Sequence, residues 1–296
     1  MDNIGTTGII PCNCLGNYKR KVGSTFLRVK GLVANAEDFA IWKHGQKFDN
    51  LIFQKVYWKE MMEIFQGPKI LDLCDPDWLK EFIDIADIAS LIDAITCSSE
   101  GLTQLVRNYF PQKPVYFVPD RLNFKNFPKP RGKHMNRARR VVWFGFINNA
   151  HETLEQLLPT IEKHNLSLKI ISDRPYTKED GIKKLKKNKF IDYNEDTAYT
   201  EIKKNDIVLN PKSNKAFFKY KSNNKSIIAW KLGLPVAENN EDLERLLDPN
   251  ERNSEVEVKR DIVNKEYNIE KSAEQYREII TSIRNQCFLN ESCRKC

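Results

Sequence analysis

The chain has 296 residues, 41% of them hydrophobic and 30% charged, a composition that suits a globular protein and excludes collagen, coiled coil or disorder over its whole length. No apolar run approaches the ~18 residues a membrane helix needs, and Met1-Asp2-Asn3 lacks the basic and apolar segments of a signal peptide, so the expectation is a cytoplasmic, membrane-free protein of about two domains at ~150 residues each. Lys and Arg total 48 against 40 Asp and Glu, a net charge of +8, which points to a polyanionic partner or to a lysine-rich genome.

Short apolar runs alternate with helical patterns from the first residues onward. Runs at 8–12, 50–53, 69–73, 94–97 and 115–118 read as strands, and stretches 25–42, 59–65, 78–90 and 99–109 as helices. Ser98 and Ser99 before Glu100 supply an N-cap. The stretch 120–139 breaks this rhythm with Pro128, Pro130, Gly132 and many charges, and reads as an interdomain linker. The rhythm restarts with a strand at 140–145, a helix at 152–163, a strand at 168–172, a short helix at 197–203, a strand at 206–210, a helix at 222–232 and a strand after Gly233. A polar loop at 249–264 and an amphipathic helix at about 269–288 close the chain. Strands alternating with helices predict α/β architecture: two Rossmann-like domains facing each other across a cleft, with ligands at strand ends and helix N-termini. The boundaries expected are 1–122, a linker 123–139, 140–264, and a terminal helix 265–296 packing back on the first domain.

Two basic blocks adjoin these elements. Residues 129–140 hold six basic side chains and no acid, and residues 203–231 hold eight lysines and one acid, Asp206. The seven cysteines are odd in number, against a disulfide framework. Cys12-x-Cys14, read as sharing one strand face, and Cys293-x-x-Cys296 have zinc-like spacing but no partner pair at the usual distance, so reduced thiols and no metal are expected.

Several segments resemble the GT-B glycosyltransferases, the two-Rossmann-domain enzymes of the "glycosyl transferases group 1" type. Asp206-Ile-Val-Leu-Asn210-Pro211, then Lys221-Ser-Asn-Asn-Lys225, then Ile228-Ala-Trp-Lys-Leu-Gly-Leu-Pro-Val-Ala237 follow the family's pattern, as do Trp143-Phe-Gly145 with Asn148-Asn149. In the first half Phe53-Gln-Lys55, Asp72-Leu-Cys-Asp75, the segment Ala94 to Leu102, and Val118-Pro-Asp-Arg121 match its strand ends, so the likeness runs from about Gly8 to Leu247. The resemblance implies transfer of a sugar from a nucleoside-diphosphate sugar to an acceptor hydroxyl, with no resident cofactor. The donor side would comprise Gly145, Asn148, Asn149, Ser172, Asp173, Asn210, Pro211, Ser222, Asn223, Asn224 and Lys225, with Gly23 and Ser24 from the loop 16–24. That loop also carries Lys19, Arg20 and Lys21. Lys221 and Lys225, four residues apart around a helix start, would face one diphosphate and stabilise its charge as it leaves.

On the acceptor side stand Arg28, Gln54, Lys55 and Arg121. Asp72 or Asp75 would serve as general base, or Asp75 or Asp77 would merely cap a helix. The family's Glu-x7-Glu falls on Tyr220 and Ile228, so that signature assigns no stereochemistry. The acceptor suggested by the basic blocks at 129–140 and 212–225 is a hydroxymethylated base in phage-type DNA, flipped out to be reached, in a host cytoplasm. Carbohydrate and small-molecule acceptors stay open, as does a non-catalytic GT-B-like module that binds nucleotide or nucleic acid. An NAD-dependent Rossmann enzyme is disfavoured, because no Gly-x-Gly-x-x-Gly follows either first strand.

Overall fold

The computed structural model describes residues 5–12, 23–79, 81, 83–175, 187–213 and 216–294. Its contacts divide the chain into two units, the first made of 1–123, 219–222 and 267–296, the second of 124–218 and 223–266. Among the described residues no helix is long and apolar enough to cross a membrane.

The first unit is built on six parallel strands: β1 (Thr7–Pro11), β2 (Phe39–Ile41), β3 (Asn50–Gln54), β4 (Lys69–Leu73), β5 (Ala94–Cys97) and β6 (Val115–Phe117), in the order β2-β1-β3-β4-β5-β6. The inner strands are near-continuous apolar runs because both faces are covered, and their side chains alternate between two cores. Ile9, Ile52, Ile70 and Ala94 face one side, where Val29, Leu32 and the terminal helix Glu270–Arg294 pack through Ala273, Tyr276, Ile280 and Ile283. Ile10, Leu51, Phe53, Leu71 and Ile95 face the other, beneath helices Lys59–Ile64, Ile85–Ser90 and Glu100–Tyr109. Ser99 caps the last of these, accepting the Leu102 N–H at 3.1 Å.

Three sequence expectations change here. The helix expected over 25–42 ends at Val33, and Phe39–Ile41 forms β2 on the open edge of β1. Periodicity does not separate a three-residue strand from a helix face. The middle of that helical stretch, Phe26–Lys30, is a π-turn, a widening that marks functional or strained positions. The helix expected over 78–90 is a 3-10 turn Asp77–Leu79 followed by the helix Ile85–Ser90, capped by Asp84.

The second unit holds β7 (Arg140–Phe144), β8 (Ser167–Ser172), β9 (Asn188–Asp192), β10 (Ile207–Leu209) and β11 (Val236–Ala237), parallel in the order β11-β10-β7-β8-β9. β9 escapes the sequence pattern because Asn-Lys-Phe-Ile-Asp is an edge strand with little buried surface. The polar loop expected at 249–264 is the helix Pro249–Glu266. Proline suits its first position, and its hold on the unit is largely polar. The Arg252 guanidinium, buried, donates to the Leu246 and Leu247 carbonyls at 2.7 and 2.9 Å and to that of Asn136.

Most of the stretch read as a linker is docked on this unit. Arg131 donates to the Asn205 carbonyl at 2.5 Å and to Asp206 at 2.9 Å, Phe127 stacks on Tyr199, and His134 bonds the Gly233 carbonyl at 3.1 Å.

Candidate functional site

In each sheet the chain leaves its first strand in one direction and returns in the other, which opens a crevice at the carboxyl ends of two neighbouring strands. In the second unit that point lies between β7 and β10. β7 ends at Phe144 and is followed at once by Gly145, whose φ of +139° strains any residue with a side chain. A Cβ there would meet Cε and Nζ of Lys225, each at 3.1 Å. Lys225 lies in the first turn of the helix Asn224–Lys231, and its Nζ sits 4.3 Å from the centre of the buried Trp143 ring. The missing side chain at Gly145 thus makes room for an ammonium at the sheet edge.

Around this pair the expected donor residues assemble. Ser172, at the end of β8, donates to the Gly145 carbonyl at 2.7 Å, with Asp173 Oδ1 2.9 Å from the same hydroxyl. Asp173 accepts the Ile147 N–H at 2.9 Å, holding the start of the helix Ile147–Leu154 beside Gly145. Arg174 donates to Asn148 at 2.8 Å, and the Asn149 amide bonds the Phe146 carbonyl. Asn210 donates to Ser226 at 3.0 Å, and Pro211 beside it is buried. The second unit therefore gathers Gly145, Asn148, Asn149, Ser172, Asp173, Asn210, Pro211 and Lys225 at one sheet edge, with two eight-residue helices starting there.

Lys221 and Ser222 belong to the first unit and Lys225 to the second, so the two lysines do not share a helix turn as expected. The helix starts at Asn224, after an exposed Asn223 whose side chain makes no cap hydrogen bond.

The end of the basic stretch lies away from this edge. Arg139 and Arg140 stand at the amino end of β7, the edge opposite Gly145, with both backbone N–H groups on Asp206 at 3.0 and 2.9 Å. Five residues of strand, about 17 Å, separate the two edges. The Asp206 carboxyl is held below its ordinary range: burial opposes ionisation, and the Arg140 guanidinium and the Arg139 N–H outweigh it.

In the first unit the expected residues divide between interior and edge. Asp72 is 1% exposed. Arg28, on the π-turn, grips it with Nε at 2.8 Å and Nη2 at 2.6 Å, and spends its remaining donors on the Val118 carbonyl, Asp120 and the Tyr276 hydroxyl at 2.8, 3.0 and 3.3 Å. All five guanidinium N–H groups are thereby used. Burial alone would lower the Arg28 pKa, and Asp72 beside it drives it up instead. Asp72 also accepts from Thr96 at 2.7 Å and Tyr276 at 3.0 Å. Arg28 and Asp72 therefore join the helical stretch, β4, β5 and the terminal helix inside the unit, rather than facing an acceptor. Arg121 is likewise buried, donating to Ser272 and Gln275 of the terminal helix at 3.1 and 2.5 Å.

Gln54 is 1% exposed as well, and the edge keeps Lys55, Asp75 and Asp77. Lys55 has a left-handed backbone, φ 53°, a conformation costing a side-chain-bearing residue about 1–2 kcal/mol. Its ammonium bridges Asp75 at 2.8 Å and Asp77 at 3.1 Å, all three side chains partly exposed. Burial pushes the Asp77 carboxyl above its usual range, Lys55 pulling the other way. Gln54 accepts from Thr25 at 3.3 Å. Gly23 and Ser24 open the helical stretch, while Cys14, Lys19, Arg20, Lys21 and Cys296 lie outside the described residues.

No family model matches the chain, and no curated protein matches it in sequence. Solved structures match its three-dimensional form. T4 phage BGT in complex with its UDP-glucose substrate is 11% identical with a TM-score of 0.59, over 94% of this chain and 99% of that one. An alpha-glucosyltransferase in complex with UDP-glucose and DNA containing an abasic site is 12% identical at 0.60, over 79% and 81%. TarM is 12% identical at 0.57, over 83% of this chain, which spans only 55% of TarM. The fold is GT-B. At these identities the fold is what the chains have in common.

Within the GT-B frame, sequence reasoning missed Asp120, Tyr276 and Trp143. The first two had a readable signal: one acid within the apolar run Ile70-Leu-Asp-Leu73 and one arginine within Phe26-Leu-Arg-Val29 are a buried pair in search of further partners. Trp143 carried none, since an aromatic in a central strand reads as core.

Proposed function

We propose that the chain is a glycosyltransferase that takes a sugar from a UDP-sugar and passes it to an acceptor hydroxyl. The observation that carries this reading is the Gly145–Lys225 pair at the switch point of the second sheet, in a chain whose fold matches structures solved with UDP-glucose. Lys225 and the positive end of the helix whose first turn carries it suit the diphosphate. Lys221, Asn223 and Asn224 are proposed to add donors to it, while the Ser222 hydroxyl is held by Asp120. Ser172 and Asp173 suit the ribose or base, and Gly145 lets the ligand approach the backbone.

On the acceptor side the reading keeps Lys55 and Asp75. As the C1–O bond to the β-phosphate breaks and the acceptor oxygen bonds C1, Asp75 takes the acceptor proton. Asp75 is preferred over Asp72 because its carboxylate retains exposed surface at the strand end. The domains proposed are those of the sequence reading, an acceptor-side 1–122 and a donor-side 140–264, with residues 124–139 moved to the donor side.

The acceptor proposed is a hydroxymethylated base in DNA. Its support is the net charge of +8 and the DNA bound to one of the matched alpha-glucosyltransferases. Incubation with a panel of UDP-sugars and hydroxymethylated DNA, followed by mass spectrometry of the nucleosides, tests both halves. A mass gain of one hexose supports the reading. Hydrolysis of a UDP-sugar without base modification would retain the chemistry and reject the DNA acceptor, and no binding of UDP would reject the function.

A further inference from the structure

Residues 219–222 lie in sequence between two stretches of the second unit yet belong to the first. Four contacts hold this strap on the first unit. The Tyr220 carbonyl accepts from the Ser99 hydroxyl at 2.7 Å, and the Tyr220 ring packs on the core beneath helix Glu100–Tyr109. The Ser222 hydroxyl donates to Asp120 at 2.5 Å. Gly101 lies so close that a Cβ would stand 2.9 Å from the Lys219 carbonyl oxygen. Ser99 and Asp120 follow β5 and β6, so the strap sits at the ligand-binding carboxyl edge of the first sheet. Lys221 is the residue between the two hydrogen-bonded ones.

We propose that Asp120 is a positioning residue for Lys221, acting through the hydroxyl of Ser222. Asp120 is buried, with one oxygen on Arg28 and the other on Ser222. Arg28 is itself locked by Asp72, Val118 and Tyr276, so Asp120 has no freedom to follow a wandering strap. The result is a rigid chain of polar contacts from the terminal helix to the residue next to Lys221. A lysine on a free loop would lose the entropy of its backbone on meeting an anion, whereas on this strap that ordering precedes the ligand. The ligand class is a diphosphate, and this part rests on the reading of Lys221 as a phosphate ligand of a UDP-sugar.

Asp120→Asn is a poor probe, since it also strips a carboxylate from Arg28. Ser222→Ala removes only the partly exposed hydroxyl, Ser222→Thr restores one, and Gly101→Ala presses on the strap from beneath. UDP affinity of the full chain by calorimetry is expected to fall about three- to tenfold in Ser222→Ala and in Gly101→Ala, the scale of one hydrogen bond, and to stay within twofold of the unmodified protein in Ser222→Thr. Hydrogen exchange of the 216–224 peptide, without nucleotide, is expected to speed up in the same two variants. Unchanged UDP affinity with faster exchange would overturn the positioning role, and unchanged exchange would overturn the anchoring itself. Failure of the unmodified protein to bind UDP would refute the nucleotide-sugar reading, with the exchange experiment still deciding whether the strap is held by Ser222.

Discussion

Asp72→Asn separates a carboxylate that holds the first unit together from one that does chemistry. In the structure Asp72 Oδ2 faces the Arg28 Nε–H at 2.8 Å, while Oδ1 accepts from Arg28, Thr96 and Tyr276. An asparagine that keeps its oxygen at Oδ1 sets an N–H against the Arg28 Nε–H, donor against donor, and leaves the buried guanidinium short of one negative charge. Breaking a buried pair costs ~3–5 kcal/mol. Asp120 still faces Arg28 at 3.0 Å, so the lower end applies, about 3 kcal/mol. At ~2–4 °C per kcal/mol for a unit of this size, the first unit should melt roughly 6–12 °C lower. Scanning calorimetry reads the shift, and hydrogen exchange of the 69–97 amides assigns it to the first unit. Asp75→Asn is the contrast: its partner Lys55 keeps Asp77 at 3.1 Å, so melting should move by less than ~1 kcal/mol while sugar transfer falls. An Asp72→Asn protein that melts like the unmodified one yet has lost transfer would refute this reasoning and return Asp72 to the role of base.

Three further outcomes are expected. Lys225→Ala should weaken UDP binding by about 1.5–3 kcal/mol, a ten- to 150-fold rise in the calorimetric Kd, as loss of a charge-assisted hydrogen bond implies. His134 is buried and donates Nε2–H to the Gly233 carbonyl, which leaves Nδ1 unprotonated, and burial lowers its pKa from 6.5 to about 4. The unfolded chain then binds the proton first, so stability falls as pH drops from 6.5 toward 4, by up to about 3 kcal/mol, and urea titrations of His134→Gln should lack that slope. Replacing Arg137, Arg139 and Arg140 by Gln should leave UDP affinity and UDP-sugar hydrolysis unchanged, because Arg139 and Arg140 stand at the amino end of β7. A loss of either in that variant would place the linker at the donor site after all.

Strands with two covered faces were easy to read, because parallel sheets demand apolar runs: β1, β3, β4, β5, β7 and β8 fall within about a residue of their expected ends. The elements missed are those whose partners, not their own pattern, stabilise them. β2 exists because β1 offers an open edge, and helix Pro249–Glu266 is anchored by Arg252 reaching backbone carbonyls. Among site residues, the family resemblance named Gly145, Asn148, Asn149, Ser172, Asp173, Asn210, Pro211 and Lys225 together, and the structure gathers them at one sheet edge. Arg28, Asp72 and Arg121 were misread as facing ligand for a single reason. A sequence shows that a charge adjoins an apolar run, and only the fold shows whether polar partners wait inside, Asp72 for Arg28 and Ser272 with Gln275 for Arg121.

The lysine motif shows how one side chain can settle two structures at once. Read as a helix start, Lys221-Ser-Asn-Asn-Lys225 calls for Ser222 or Asn223 as a cap. The Ser222 hydroxyl is instead committed to Asp120, and Asn223 makes no side-chain cap. The helix begins at Asn224, two residues later than expected; its cap residue Asn223 offers no side-chain acceptor, and the Asn223 carbonyl accepts the Ser226 N–H at 2.9 Å. An anion is favoured at this helix start because the helix end carries partial positive charge. The hydrogen bond that fixes the strap on the first unit thus also commits the Ser222 hydroxyl, two residues before the helix that carries Lys225. Ser222→Asp should reveal this double duty: repulsion from Asp120 would release the strap, and a carboxylate near the helix start would compete with phosphate there.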